Sequence, residues 1–105
     1  MPQTFDARKK WGTCIHGVRD QGNCGSCFAF SSVGMIEDRF CIQTKGSIDS
    51  ILSPNYMVSC DTFNFGCDGG YLENALFFLE DEGVVTERCD PYDIGVSGHA
   101  ADCPS

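Results

Sequence analysis

Eight of the 105 residues are cysteine. At that density a short chain is crosslinked, metal-bound, or both. Tetrahedral zinc sites favour paired CxxC knuckles or closely spaced mixtures of Cys and His. One CxxC occurs here, Cys24-Gly25-Ser26-Cys27, and the two histidines, His16 and His99, are remote from it and form no HxxxH pair. Disulfides are therefore the expected use, with no metal and no cofactor. They imply an oxidising compartment, secreted or vesicular, and a targeting segment removed upstream.

Charge narrows the partners. Seven Lys and Arg face fifteen Asp and Glu, a formal net charge of −8, which gives no electrostatic reason to bind a phosphate backbone. Nucleic acid is not an expected partner. The longest apolar stretches are a few residues, too short to cross a membrane. The start, Met1-Pro2-Gln3-Thr4-Phe5, has neither the basic nor the apolar segment of a signal peptide. Hydrophobic residues at 42% are enough for a core, and the length suits one domain or one half of a larger one. A Cys two residues from the last position, in Cys103-Pro104-Ser105, leads us to expect a truncation or a processing product.

Residues 1–23 are rich in turn formers and charges and read as an extended, surface-hugging segment anchored by Phe5 and Trp11. From Ser26 the pattern changes. Phe28, Ala29, Val33, Ile36, Phe40 and Cys41 recur at three- and four-residue spacing, which predicts a helix with a wide apolar face, capped by Asn23 or Ser26 and ended by Lys45-Gly46. Ser53-Pro54 opens a short helix to about Cys60, with Ser53 at the N-cap. A third helix is predicted from Tyr71 to Glu82, with Leu72, Ala75, Leu76 and Leu79 on its buried face and Gly83 as its C-terminal cap. No strong alternating strand appears. The predicted fold class is mainly α with long, disulfide-crosslinked loops.

The segment Gln21-Gly22-Asn23-Cys24-Gly25-Ser26-Cys27 places a thiol at the start of an apolar helix. Amide dipoles and free N–H groups at a helix start favour an anion, and they raise the thiolate fraction of a cysteine placed there. A thiolate is the competent nucleophile. The small residues ahead of Cys27 let a substrate backbone approach. The Gln21 side-chain amide, with the Cys27 N–H, has the composition of an oxyanion hole. Two other uses remain open on these residues alone. One is a redox pair of Cys24 and Cys27, although the polar, glycine-rich residues before them lack the apolar strand of a thioredoxin-like motif; the other is a pair of structural cysteines. His16 and His99 read as exposed loop histidines.

The segment QGNCGSCFAF, Gln21 to Phe30, resembles the active-site segment of papain-like cysteine proteases, in their cathepsin B-like branch. Phe5-Asp6-Ala7-Arg8 with Trp11, Ile36 to Ile42, Gly66-Cys67-Asp68-Gly69-Gly70-Tyr71 and Cys89-Asp90-Pro91-Tyr92 resemble further segments of that branch, in the same order. The resemblance implies that Cys27 is the nucleophile and Gln21 the oxyanion-hole glutamine. It implies that Gly25 and Ser26 wall the cleaved bond, that Gly69 and Gly70 pair with the substrate backbone, and that Tyr71 edges the main specificity pocket. It also implies the bridges Cys14–Cys41, Cys24–Cys67 and Cys60–Cys103, leaving Cys27 free and Cys89 with a partner beyond Ser105.

By the same resemblance residues 1–105 are expected to be the N-terminal, left-hand, helical lobe of the α+β papain-like fold, ending before the β-rich lobe that carries the catalytic His and Asn. The partners implied are a peptide or protein substrate and the missing C-terminal lobe; the place implied is a lysosome-like vesicle or the outside of the cell. Two departures stand out. Phe28 occupies a position where the family usually has Trp. The segment Tyr92 to Cys103 is short and holds only His99, where cathepsin B has an occluding loop with paired histidines; endopeptidase action is therefore expected rather than trimming from C-termini. The expected function is peptide hydrolysis through a Cys27 thiolate and an acyl-enzyme, with the chain inactive alone. The alternatives are a non-catalytic lobe that binds a peptide or partner through the Gly69-Gly70 face, and a thiol–disulfide oxidoreductase using Cys24 and Cys27.

Overall fold

The seventeen residues Cys27–Gln43 form the longest helix among the described residues and bring Phe28, Ala29 and Val33 to the core. The computed structural model describes residues 3–98 and Cys103; His99 lies outside the described residues. Among the described residues five α-helices follow one another: α1 Ala7–Trp11, α2 Cys27–Gln43, α3 Pro54–Cys60, α4 Leu72–Asp81 and α5 Ile94–Ser97, with 3-10 turns at Gly12–Cys14 and Gly66–Asp68. No strand occurs among the described residues, where an isolated antiparallel bridge joins Leu52 to Thr86. The architecture is mainly α with long crosslinked loops.

The helices form where the local chemistry favours them. Ser53 caps α3 by accepting from the Tyr56 N–H at 3.0 Å, Pro54 occupies the first turn, and the same Ser53 hydroxyl donates to the Asp90 carbonyl at 2.7 Å. A helix end and a distant loop are thus tied by one side chain. Phe28, Ala29 and Val33 of α2 are buried against Met57 and Val58 of α3, Ala75 and Phe78 of α4, and Ile94 of α5. Ser32 is buried among them and donates to the Ala29 carbonyl at 3.2 Å and toward the Met57 sulfur at 3.5 Å, so its hydroxyl is not stranded in an apolar setting.

Several faces differ from the periodic reading. In α4 the buried residues are Ala75 and Phe78, while Leu72 and Leu76 are exposed and Leu79 is half-buried. Two adjacent phenylalanines, Phe77 and Phe78, offered alternative faces, and the helix turns the second inward; Phe77 stacks edge-on against Phe63 at 5.1 Å. In α2, Phe40 is 47% exposed and Glu37 is buried in its stead. The leading segment is not extended throughout: Asp6 accepts from the Arg8 N–H at 3.0 Å and starts α1. Phe5 is exposed and rests on Trp11 at 5.5 Å, so the segment is held elsewhere.

What holds it is Cys14 and His16. Cys14 is bonded to Cys41 near the end of α2, Cys24 to Cys67, and Cys60 to Cys103, with Cα separations of 5.4, 4.5 and 4.8 Å. Their sequence separations of 27, 43 and 43 residues correspond to about 3.5–4 kcal/mol each in the chain-entropy account. His16 is mostly buried rather than an exposed loop histidine. Its Nδ1 pairs with the Glu37 carboxylate and its Nε2 lies 2.7 Å from Asp49, with an Asp38 oxygen 3.9 Å from Nδ1. The other Glu37 oxygen accepts from the Leu52 N–H at 3.3 Å. One imidazole therefore joins the leading segment, α2 and the loop before Leu52.

Burial disfavours the His16 imidazolium, but the hydrogen bonds to Asp49 and Glu37, and then the charges of those carboxylates, outweigh it and raise the pKa above its ordinary 6.5. Burial likewise pushes Glu37 up, opposed by the Leu52 N–H and by His16. A group whose folded pKa is raised contributes stability fully below its unfolded value and loses it as pH rises through the folded value. Stability should thus fall as pH rises from 6 through the raised His16 value. Thermal unfolding of His16→Gln should lose that slope, with the parent Tm higher by roughly 2–5 °C at pH 6 than at pH 8; equal slopes in the two proteins would contradict the assignment. A second outcome concerns the turn at Cys24. A Cβ on Gly25 would stand 2.6 Å from the Cys67 carbonyl oxygen, a backbone atom that cannot step aside. Gly25→Ala should cost roughly 1–3 kcal/mol, read as a fall in Tm of roughly 5–20 °C under non-reducing conditions.

Candidate active site

Cys27 is the first residue of α2, and its thiol is exposed and unbonded. Ser26 stands at the N-cap position without capping: its side chain accepts no helix amide, and its Oγ instead lies 2.8 Å from the Tyr92 hydroxyl. The Ser26 carbonyl takes both the Ala29 and Phe30 N–H groups, at 2.9 and 3.1 Å. Gln21 is half-buried, folded back over the same turn, with Nε2 donating to the Cys24 carbonyl at 2.8 Å. A carboxamide nitrogen carries two hydrogens, so this bond leaves one free.

The turn is fastened to a second loop. Cys24 is bonded to Cys67, and the Gly25 N–H donates to the Cys67 carbonyl at 2.8 Å. Beyond Cys67 the chain reaches Gly69 at φ +108°, a conformation open to glycine and strained for other residues. The Gly69 carbonyl accepts from the Phe65 N–H at 3.0 Å. Gly70 lies against the side chain of Asn64, whose Oδ1 accepts from the Tyr71 N–H at 2.7 Å while its Nδ2 donates to Asp61 at 2.6 Å. Asn64 and Asp61 are both buried. Tyr71 precedes α4 as an exposed ring.

Of the residues singled out in the sequence, Gln21, Gly25, Ser26 and Cys27 share one turn, with Gly69, Gly70 and Tyr71 on the loop sewn to it. His16 is not among them. It meets Glu37 ten residues along α2 from Cys27, about 15 Å down the axis. His16, Glu37 and Asp38 each bring one potential ligand atom within 4.8 Å of the others. Both imidazole nitrogens already face carboxylates, those of Glu37 and Asp49. A cavity of about 190 Å³ beside His16 and an apolar groove of about 380 Å³ between α2 and α4 both lie away from Cys27. The thiol sits on an open face.

Asp61, Asn64 and Tyr92 were not assigned a role from the residues alone. Asn64 lies in a loop without periodicity, between two exposed aromatic residues, and nothing local marks it as the buried one. Tyr92 belongs to a recognisable segment, yet its contact with the turn at Cys27 spans 66 positions of sequence.

Comparisons with known proteins show the family. The pattern of the papain family cysteine proteases matches residues 1–105. Over 104 residues the chain is 43% identical to the cathepsin B-like CP3 of Giardia intestinalis, covering 99% of this chain and 35% of that protein. It therefore spans about a third of the length of the curated relatives it matches. The digestive procathepsin L2 proteinase from Tenebrio molitor larval midgut superposes with a TM-score of 0.85 at 31% identity, over 100% of this chain and 32% of that one. The Carica candamarcensis cysteine protease CMS1MS2, solved in complex with E-64, gives a TM-score of 0.83 at 33% identity, over 98% and 45%. Matched along its whole length in sequence and nearly so in structure, this chain belongs to the papain family of cysteine proteases.

Proposed function

We propose that residues 1–105 form the N-terminal helical lobe of a cathepsin B-like cysteine endopeptidase, with Cys27 as its nucleophile. The observation that carries this reading is an exposed, unbonded Cys27 at the start of a seventeen-residue helix, while its neighbour Cys24 is committed to Cys67. That commitment also weighs against a Cys24–Cys27 redox pair. The open face at Cys27 suits a cleft whose second wall comes from another lobe.

In the proposed reaction the Cys27 thiolate attacks the carbonyl carbon of a peptide bond. Negative charge develops on the carbonyl oxygen, where the Cys27 N–H and the free Gln21 amide hydrogen hold it. The intermediate collapses to a thioester, and the amine leaves with a proton supplied by a histidine of the complementary lobe. Water then attacks the thioester, releases the acid and restores the thiol. An asparagine of that lobe orients the histidine. The substrate lies extended along Gly69 and Gly70, whose backbone accepts it as an added strand, with Gly25 and Ser26 beside the cleaved bond and Tyr71 at the specificity pocket. Between Tyr92 and Cys103 His99 is the sole histidine, so that segment holds no pair of carboxylate-binding histidines, which favours cleavage within chains. Three disulfides fit an oxidising compartment, a lysosome-like vesicle or the exterior.

The test joins this chain to a complementary lobe that carries the histidine and asparagine. Peptide hydrolysis should then require Cys27: Cys27→Ala should abolish it, and Gln21→Ala should lower kcat by roughly 10²–10³-fold. The chain alone should not hydrolyse peptides, yet iodoacetamide should label Cys27 faster than Cys89, the other exposed free thiol. Hydrolysis that survives Cys27→Ala would overturn the reading.

A further inference from the structure

Tyr92 reaches the turn around Cys27 from the far side of the sequence. Its hydroxyl lies 2.5 Å from the Gln21 carbonyl and 2.8 Å from the Ser26 Oγ. The Gln21 backbone carbonyl can only accept, so the Tyr92 proton goes to it, and Ser26 donates its own to Tyr92 at 2.8 Å in preference to the Cys24 carbonyl at 3.4 Å. A one-way chain results: Ser26 O–H to Tyr92 oxygen, Tyr92 O–H to Gln21 oxygen. It spans the turn from one flank of Cys24-Gly25 to the other and turns the Ser26 hydroxyl away from the helix amides that it would otherwise cap.

The tyrosine itself is held at three points. Its ring meets Phe30 edge-on at 4.7 Å, one helical turn beyond Cys27. Its backbone N–H donates to Glu87 at 2.7 Å, and the same carboxylate oxygen receives Arg19 at 2.7 Å, whose guanidinium lies 5.1 Å from the Phe30 ring. Three residues on, the Gly95 carbonyl accepts from the Asn23 N–H at 2.8 Å. The phenol is thus a fixed post for the turn rather than a side chain that follows it.

We propose that Tyr92 is a positioning residue for acyl transfer: through Ser26 and Gln21 it sets the distance between the oxyanion-binding donors and the Cys27 sulfur. This rests on the reading of Cys27 as the nucleophile. Binding of the peptide, which depends on the Gly69-Gly70 loop, does not pass through Tyr92. Removal of its hydroxyl should therefore lower the rate of the chemical step and leave substrate binding nearly unchanged.

The experiment uses the complete two-lobe protease and four variants: Tyr92→Phe, Gln21→Ala, their combination, and Cys27→Ala. Tyr92→Phe keeps the ring on Phe30. It should lower kcat roughly 10-fold, as expected of a displaced catalytic group, with KM within about twofold of the parent and the Tm nearly unchanged. In the Gln21→Ala background the same substitution should lower kcat by clearly less, because the Gln21 side-chain donor that it positions is gone while the backbone carbonyl and Ser26 that it touches remain. An unchanged kcat in Tyr92→Phe overturns the proposal. So does a kcat loss of equal size in both backgrounds, or one that tracks a loss of folded protein, either of which marks a merely structural tyrosine. Cys27→Ala separates the two levels. If it is inactive while Tyr92→Phe matches the parent, the positioning role alone fails; if it remains active, the reading beneath it fails as well.

Discussion

The covalent and hydrogen-bonded seam between Cys24-Gly25 and Cys67 decides what the rest of this structure can be. A disulfide brings the two loops to a Cα separation of 4.5 Å, and the adjacent Gly25 N–H then finds the Cys67 carbonyl at 2.8 Å. Two loops without regular structure acquire one relative position. Everything on either side takes its place from that seam: Cys27 at the start of α2 on one side, Gly69, Gly70 and Tyr71 on the other. The bond also removes Cys24 from chemistry, so the neighbouring thiol stays single. A structural crosslink and a free thiol three residues apart are a single arrangement with two consequences.

Around the seam, order comes from buried polar side chains that each serve two segments. Ser53 caps α3 and holds the Asp90 carbonyl. Asn64 joins Asp61 to the Tyr71 amide and backs Gly70. His16 and Glu37 join the leading segment to α2 and to Leu52. In a chain with a small apolar core, such groups supply direction that hydrophobic burial lacks. Burial is proportional to area and indifferent to angle, whereas a buried donor or acceptor without a partner costs free energy. The loops are therefore specified by few positions, and those positions are polar.

Legibility in the sequence followed the range of the forces. The start of α3 at Ser53-Pro54 and the course of α2 from Cys27 are local effects of capping and 3.6-residue periodicity, and both are readable from neighbouring residues. The face of α4 was not. Leu72 and Leu76 have the spacing of a core stripe but are exposed, because the place beside Tyr56 in the core is filled by Phe78, and a run of apolar residues permits more than one rotation. His16 and Phe40 differ from the periodic reading for a related reason: the acid Glu37 is drawn inside by an imidazole 21 residues away and by the Leu52 amide. Asp6, two residues before Arg8, carries a cap signal for α1 amid the charges of Arg8, Lys9 and Lys10.

The sequence by itself determined the kind of protein. Its motifs, Gln21 to Phe30 and Gly66 to Tyr71 among them, are contiguous strings whose chemistry depends on adjacent residues, and they pointed to the papain family before any coordinate was known. Tertiary structure decided how those strings meet. The approach of Gly25 to Cys67, of Asn64 to Gly70 and of Tyr92 to Gln21 and Ser26 each joins separate parts of the chain. Such meetings are set by packing and by the satisfaction of buried polar groups, which no local pattern of residues encodes.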